Sequence, residues 1–147
     1  MVSFRDGSDV TVSLFADGSA ESKYTVSVPG GTKDSSGQYT TTYDIPEVAP
    51  GTYTMRVSKK NHVTREYTVT VSGDAVTQDA KIHLMGDING DGRISIGDIN
   101  KANLHAKGKK ILLGYELACA DINGDGRVTT SDVNKMNLHN KGKSLLW

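Results

Sequence analysis

The sequence predicts two modules in series: an N-terminal all-β antiparallel sandwich over residues 1–84, and a small all-α unit over 85–147 built on two loop–helix repeats. Three observations carry this. Side-chain polarity alternates with a period of two in several runs up to Leu84 and not beyond it. A twelve-residue loop rich in Asp, Asn and Gly then occurs twice, starting at Asp87 and again at Asp121, 34 residues later. Aligning 87–108 with 121–142 gives 15 identities in 22 positions, so the second part of the chain is an internal duplication.

The β runs come first. Alternation is clear in Val10–Leu14, Tyr24–Val28, Tyr53–Val57, Tyr67–Val71 and Ala80–Leu84, with a weaker strand over Gln38–Tyr43. Such a period turns one set of side chains inward and the Thr, Ser and Lys set outward. Turn chemistry separates the runs at Asp17-Gly18, Pro29-Gly30-Gly31, Pro50-Gly51 and Ser72-Gly73-Asp74. About six short strands joined this tightly imply a sandwich. His62 follows Lys59-Lys60-Asn61 in an expected hairpin turn, where a plain exposed residue is predicted. Tyr39, Tyr43, Tyr53 and Tyr67 sit mainly in strand registers and read as core or inter-strand pairs. A carbohydrate-binding platform built from them is the alternative for this module. No nucleophile-plus-base arrangement is legible, so an enzyme is not expected. The stretch Val48–Met55, with Val57-Ser58-Lys59 and Thr68–Val71, resembles carboxypeptidase-regulatory-like β domains, which implies a non-catalytic spacer.

The repeated loops carry the chemistry. Asp87, Asn89, Asp91, Ser95 and Asp98 put oxygen side chains at positions 1, 3, 5, 9 and 12, with Gly92 at position 6; Asp121, Asn123, Asp125, Thr129 and Asp132 do the same around Gly126. That spacing wraps a backbone around a hard cation such as Ca²⁺. Arg93 and Arg127, at position 7, would supply main-chain carbonyls, Ser95 and Thr129 act through water, and Asp98 and Asp132 close the sites with both oxygens. Two Ca²⁺ ions are expected. Mg²⁺ fits less well, because it requires a tight octahedron and keeps its waters. Carboxylates this close repel one another without metal, so its loss should unfold the module.

Each loop leads into a helix, expected over Ile99–Lys107 and Val133–Lys141, with Asp98 and Asp132 at the N-caps and Gly108 and Gly142 at the ends. The middle segment Ile111–Ala120 is expected to carry a short helix. At about 100° per residue, Ile99, Ala102 and Ala106 share one face, as do Val133 and Met136, and these form the core. The opposite face carries Asn100, Asn103, Leu104 and Lys107 in one helix and Asn134, Asn137, Leu138 and Lys141 in the other. A leucine among polar residues, repeated by symmetry, matches an apolar contact centre with a polar rim.

Other residues bound the reading. The chain has equal numbers of acidic and basic side chains, 17 of each. Of the seven acids after Leu84, all but Glu116 lie in the two loops, so a metal-loaded module presents a basic surface. No nucleic-acid motif accompanies it. No apolar run reaches the ~20 residues of a membrane span. Met1-Val2 runs straight into polar sequence without a leader pattern and reads as the start of an excised fragment. Cys119, the single cysteine, stands in the register of Met85 and should be small and buried. His105 and His139 are expected to be satisfied boundary residues. Trp147 is expected to fold back near Leu84 or Met85.

Before the first loop, Met85-Gly86 follows no helical segment, and position 12 is Asp where a calcium sensor usually has Glu. With the 34-residue duplication and compact length, residues 86–147 resemble a dockerin, with two Ca²⁺-binding F-hand (loop–helix) repeats. A β domain directly before it resembles the X module of X-module–dockerin pairs. The resemblance implies an extracellular, calcium-dependent adaptor that binds a cohesin module and attaches its parent protein to a cellulosome scaffold or cell surface. It places the cohesin contact on loop positions 10 and 11 and on the polar helix face: Ile96, Gly97, Asn100, Asn103, Leu104 and Lys107, and Thr130, Ser131, Asn134, Asn137, Leu138 and Lys141. Near-equivalent helices suggest binding in two orientations related by 180°, whereas Ile96 against Thr130 favours one. An EF-hand calcium sensor or buffer is the alternative; it would need full helix–loop–helix units and more methionines than Met85 and Met136.

Overall fold

The computed structural model describes residues 1–5, 10–28 and 30–147. The chain divides into two compact units, Met1–Lys60 with Thr64–Ile82, and Asn61–Val63 with His83–Trp147.

The first unit contains β1 (Val2–Phe4), β2 (Val10–Ala16), β3 (Ser22–Val28), β4 (Thr32–Lys33), β5 (Gln38–Thr40), β6 (Gly51–Ser58) and β7 (Arg65–Val71). They form two antiparallel sheets, one ordered β1-β5-β4 and one ordered β3-β2-β6-β7. The larger sheet pairs Val12 with Val26 on one side and with Val57 on the other. Its inner face follows from the alternation: Val10, Val12 and Leu14 of β2, Tyr53, Met55 and Val57 of β6, and Val69 of β7 are all buried in one cluster with Ala80 and Ile82. A register shift between Leu14 and Phe15 marks a bulge where β2 meets β3. Part of the expected turn, Pro29, lies outside the described residues, while Gly30 and Gly31 both have positive φ.

Two expectations are corrected here. Ala80–Leu84 alternates as a strand would, with Ala80, Ile82 and Leu84 buried, yet it forms only bridges, Val2 with Lys81 and His62 with Leu84. The run straddles the division between the units, so it has no single ladder to join. His62 is not an exposed turn residue: it is 7% exposed. Its segment lies antiparallel to 83–85, with Val63 N donating to His83 O and Met85 N to Asn61 O, and this pairing buries the ring. β1 and β4 were not anticipated, being only three and two residues long.

The second unit holds α1 (Ile96–Ala106), α2 (Gly114–Ala120) and α3 (Thr130–Asn140). α1 and α3 pack on each other. Their core is built from repeat-equivalent pairs: Ile88 and Ile122, Ile94 and Val128, Ile99 and Val133, and Ala102 and Met136. Both helices begin three residues earlier than expected. Ser95 and Thr129 are the N-caps, and Asp98 and Asp132 are not: each sits at N3 and accepts from the N-cap backbone, completing a capping box. Gly108 and Gly142 both take φ +65 just past the C-caps Lys107 and Lys141, a conformation that favours glycine.

The repeat also explains the two imidazoles. His105 Nδ1 accepts from Leu112 N at 2.8 Å, and His139 Nδ1 accepts from Leu146 N at 3.0 Å, so each ring pins the segment after its helix. Trp147 returns to the start of the unit: its Nε1 donates to Met85 O at 3.1 Å, and its ring meets His139 with centroids 4.3 Å apart. Trp147→Ala removes both contacts. It is expected to destabilise the helical unit by about 2 kcal/mol, one hydrogen bond plus one aromatic pair, and to leave the β unit's melting unchanged; differential scanning calorimetry reads the two transitions.

Candidate functional site

The two loops fold the same way because the same atoms organise them. In the first, Gly90 N and Asp91 N donate to Asp87 Oδ1, at 2.7 and 3.1 Å, and Gly92 N donates to Asp87 Oδ2 at 2.8 Å. Asp98 Oδ1 accepts from Ile88 N and Asn89 N, both at 3.0 Å. Its Oδ2 accepts from Ser95 N at 2.9 Å and Ser95 Oγ at 2.7 Å. Asn89 Oδ1 accepts from Asp91 N, and Asp91 Oδ1 from Arg93 N. The second loop repeats this frame: Gly124, Asp125 and Gly126 donate to Asp121, Ile122, Asn123 and Thr129 donate to Asp132, and Arg127 N donates to Asp125. Gly92 (φ +90) and Gly126 (φ +82) make the turn at position 6.

One carboxylate therefore has two tasks. Asp98, at N3, completes the capping box of α1 and also closes the loop, and Asp132 does the same for α3. Any ion held there is fastened to the first turn of a helix.

The donor set suits a hard cation. Ligand oxygens of Asp87, Asp91 and Asp98 all lie within 4.8 Å of one another, and Asp87 and Asp98 are fully buried. Like charges gathered out of water need a counter-charge. Burial pushes the Asp87 carboxyl up to about 6, with the nearby Asp98 adding to the rise and the N–H groups of Gly92, Asp91 and Gly90 opposing it. At Asp132 burial also acts upward, but the N–H and O–H of Thr129, with the N–H groups of Asn123 and Ile122, outweigh it and hold the carboxyl below the ordinary value.

The Asp87 shift has a definite sign. A folded-state value above the ordinary one favours the metal-free fold at low pH, and that contribution is lost as pH rises through about 6. A cation needs the ionised form, so below that pH it must displace a proton. The affinity of any cation held by Asp87 is thus expected to weaken between about pH 7 and about pH 5, with up to roughly one proton released per ion bound there. Calorimetric titration in two buffers of different ionisation enthalpy counts the protons; a count of zero throughout that window contradicts the expectation.

The expected docking face lies at the surface. Ile96, Gly97, Asn100, Leu104, Lys107, Thr130, Ser131, Asn134, Leu138 and Lys141 are exposed, while Asn103 and Asn137 are half-buried, Asn137 donating back to Val133 O. Ile96 is 60% exposed and the paired Leu104 and Leu138 are 38% and 41% exposed. Sequence reasoning missed Ile111, Leu113 and Leu145, also largely exposed. They follow the helices in repeat-equivalent segments, and Ile111 and Leu145 correspond across the duplication. The basic runs around them, Lys107 to Lys110 and Lys141 to Lys143, were the available signal.

In the β unit the tyrosines face inward partners. Tyr53 is buried, stacks edge-on with Tyr24 and donates to Ala49 O; Tyr43 donates to Gln78 O; and Tyr67 lies against Lys81.

Residues 85–139 match the family model described as the dockerin type I domain. No curated protein sequence matches the chain. Among solved structures, the chain is similar to an N-terminal interface mutant of a type II cohesin–X-dockerin complex from Acetivibrio cellulolyticus, at 25% identity, covering 88% of this chain and 79% of that chain with a TM-score of 0.34. It is also similar to a C-terminal interface mutant of that type II complex from the same organism, at 22% identity, covering 94% and 92% with a TM-score of 0.35.

Proposed function

We propose that this protein is a calcium-dependent adaptor of the X-module–dockerin kind, whose residues 85–147 dock on a cohesin module and whose residues 1–84 form the supporting X module. The observation that carries the reading is the pair of duplicated loops inside the segment matching the dockerin type I domain, each with a carboxylate that closes the loop and caps a helix. Two Ca²⁺ ions are assigned, one to Asp87, Asn89, Asp91, Arg93, Ser95 and Asp98, the other to Asp121, Asn123, Asp125, Arg127, Thr129 and Asp132. The role is non-catalytic and extracellular, attaching a parent protein to a cellulosome scaffold or cell surface.

The mechanism follows from the capping geometry. Asp98 and Asp132, at the first turns of α1 and α3, would hold a bound ion against each helix, and the ion's charge would offset the gathered carboxylates of its loop. With both loops filled, the outward faces around Leu104 and Leu138 are held together as one surface, in which apolar centres supply burial and Asn and Lys supply orientation. Lys107 and Lys141 add a positive rim suited to an acidic partner surface.

A pull-down of the full chain with cohesin modules, with and without chelator, tests the proposal. Capture that needs calcium is expected. Capture that survives chelation, or no capture by any cohesin from the same source, overturns it.

A further inference from the structure

The two loops share a ligand set but not their surroundings. Beside the first stands His83. A Cβ placed on Gly90 would lie 2.4 Å from His83 Nε2, so the imidazole rests directly against the loop backbone. A Cβ on Gly124, the equivalent glycine, meets nothing within 4 Å. Both glycines have nearly the same φ, +73 and +71, so the difference comes from what covers them. His83 is itself held. Its main-chain N–H donates to Tyr115 Oη at 2.9 Å, that hydroxyl donates to Val63 O at 2.5 Å, and the two rings meet edge-on at 5.1 Å. The duplication breaks at this point, for the residue in the register of His83 is Leu117, within α2.

The loops also differ in burial. Asp87 and Gly90 are buried, whereas Asp121 is half-buried and Gly124 exposed. Among the described residues, the one acidic triad whose ligand oxygens all converge within 4.8 Å is that of the first loop.

We propose that His83, fixed by Tyr115, walls the first loop and makes the two calcium sites unequal, so that the Asp87–Asp98 loop fills first and releases its ion more slowly than the Asp121–Asp132 loop. This rests on the calcium reading given above. The physical basis is bracing. The ligands are matched, Ser95 against Thr129 being the one side-chain difference, so the direct bonds to the ion are alike. The hydrogen-bond frames are alike, but the first loop gains the His83 brace as the unit folds around its ion while the flank at Gly124 stays open to solvent, and a looser bound loop costs affinity. The wall also removes water from one flank, which strengthens the attraction between ion and carboxylates and slows exchange. His83 is a positioning residue here and does not touch the ion. The second loop becomes the position that senses falling calcium, and α3 the helix released first.

Calcium titration of the full chain by NMR tests this, reading the amides of Gly92 and Gly126, which donate to the position-1 carboxylates of their own loops. Gly92 is expected to saturate at a free calcium concentration roughly tenfold below that of Gly126. His83→Ala should shift the Gly92 titration towards that of Gly126 and leave Gly126 within about twofold of its original value. Tyr115→Phe, which keeps the ring and removes the hydroxyl, should shift Gly92 the same way by less, and serves if His83→Ala does not fold. Simultaneous saturation in the unaltered chain, or equal weakening of both loops in the variants, overturns the inference while leaving the adaptor reading intact. Failure of either loop to bind calcium removes the adaptor reading as well.

Discussion

Stripping calcium from the full chain is expected to unfold the helical unit and leave the β unit folded. The β unit has its own buried cluster. The helical unit spans only 61–63 and 83–147, close to the size at which an apolar core alone is marginal. Its loops are polar, and they gather the buried carboxylates Asp87, Asp98 and Asp132. An ion at 1,000 times its dissociation constant stabilises the fold that binds it by about 4 kcal/mol, so two ions contribute about 8 kcal/mol. In a unit of this size each kcal/mol moves the midpoint by roughly 4–8 °C. Thermal unfolding followed at a helix-sensitive wavelength should therefore show one transition rising by tens of degrees on calcium addition, and one that stays put. A midpoint and a helical signal indifferent to calcium would remove the basis of the proposed function.

Replacing both Leu104 and Leu138 with Asp is expected to abolish cohesin binding without loosening the fold. Each leucine is exposed by about two-fifths, so neither substitution opens a cavity, and calcium titration and melting should match those of the unaltered chain. Burying a leucine side chain contributes about 1.5–3 kcal/mol, and an unpaired carboxylate in its place adds a desolvation cost. A loss of more than about 100-fold in affinity follows for the double variant. The single variants separate two modes of docking. If α1 and α3 exchange roles in two orientations, each single variant retains one intact orientation and binding falls only a few-fold. If Ile96, exposed where the second loop has Thr130, fixes one orientation, one single variant carries nearly the whole loss. A double variant that still binds within about tenfold would move the contact elsewhere, to Ile111, Leu113 and Leu145 first, since they are the large apolar side chains exposed nearby in sequence.

Much of this is legible in the sequence. Spacing alone selected the loop residues, because a backbone that must wrap a small cation has few ways to present its oxygens. The duplication announced paired core positions, and Ile99 with Val133 and Ala102 with Met136 do meet in one cluster. Helix starts were misjudged by three residues because Asp98 and Asp132 qualify chemically as N-caps. Ser95-x-x-Asp98 and Thr129-x-x-Asp132 carried the capping-box pattern that would have corrected them. His62 was misjudged for another reason: alternation within a strand says which face is buried, but not that a turn pairs with a distant segment.

The sequence by itself determined the two-part organisation, the matching of the two loops position by position, the inward and outward faces of α1 and α3, and the return of Trp147 to Met85. Those follow from local periodicity and from a symmetry that the chain spells out twice. Only the tertiary structure decided that the twin loops are not twins. Val63, His83, Gly90 and Tyr115 are far apart in the chain or carry no pattern, and they converge on the first loop because 61–63 lies along 83–85. Burial is set by what packs from outside an element, so two loops with matching oxygen-bearing residues come to hold their carboxylates in different surroundings.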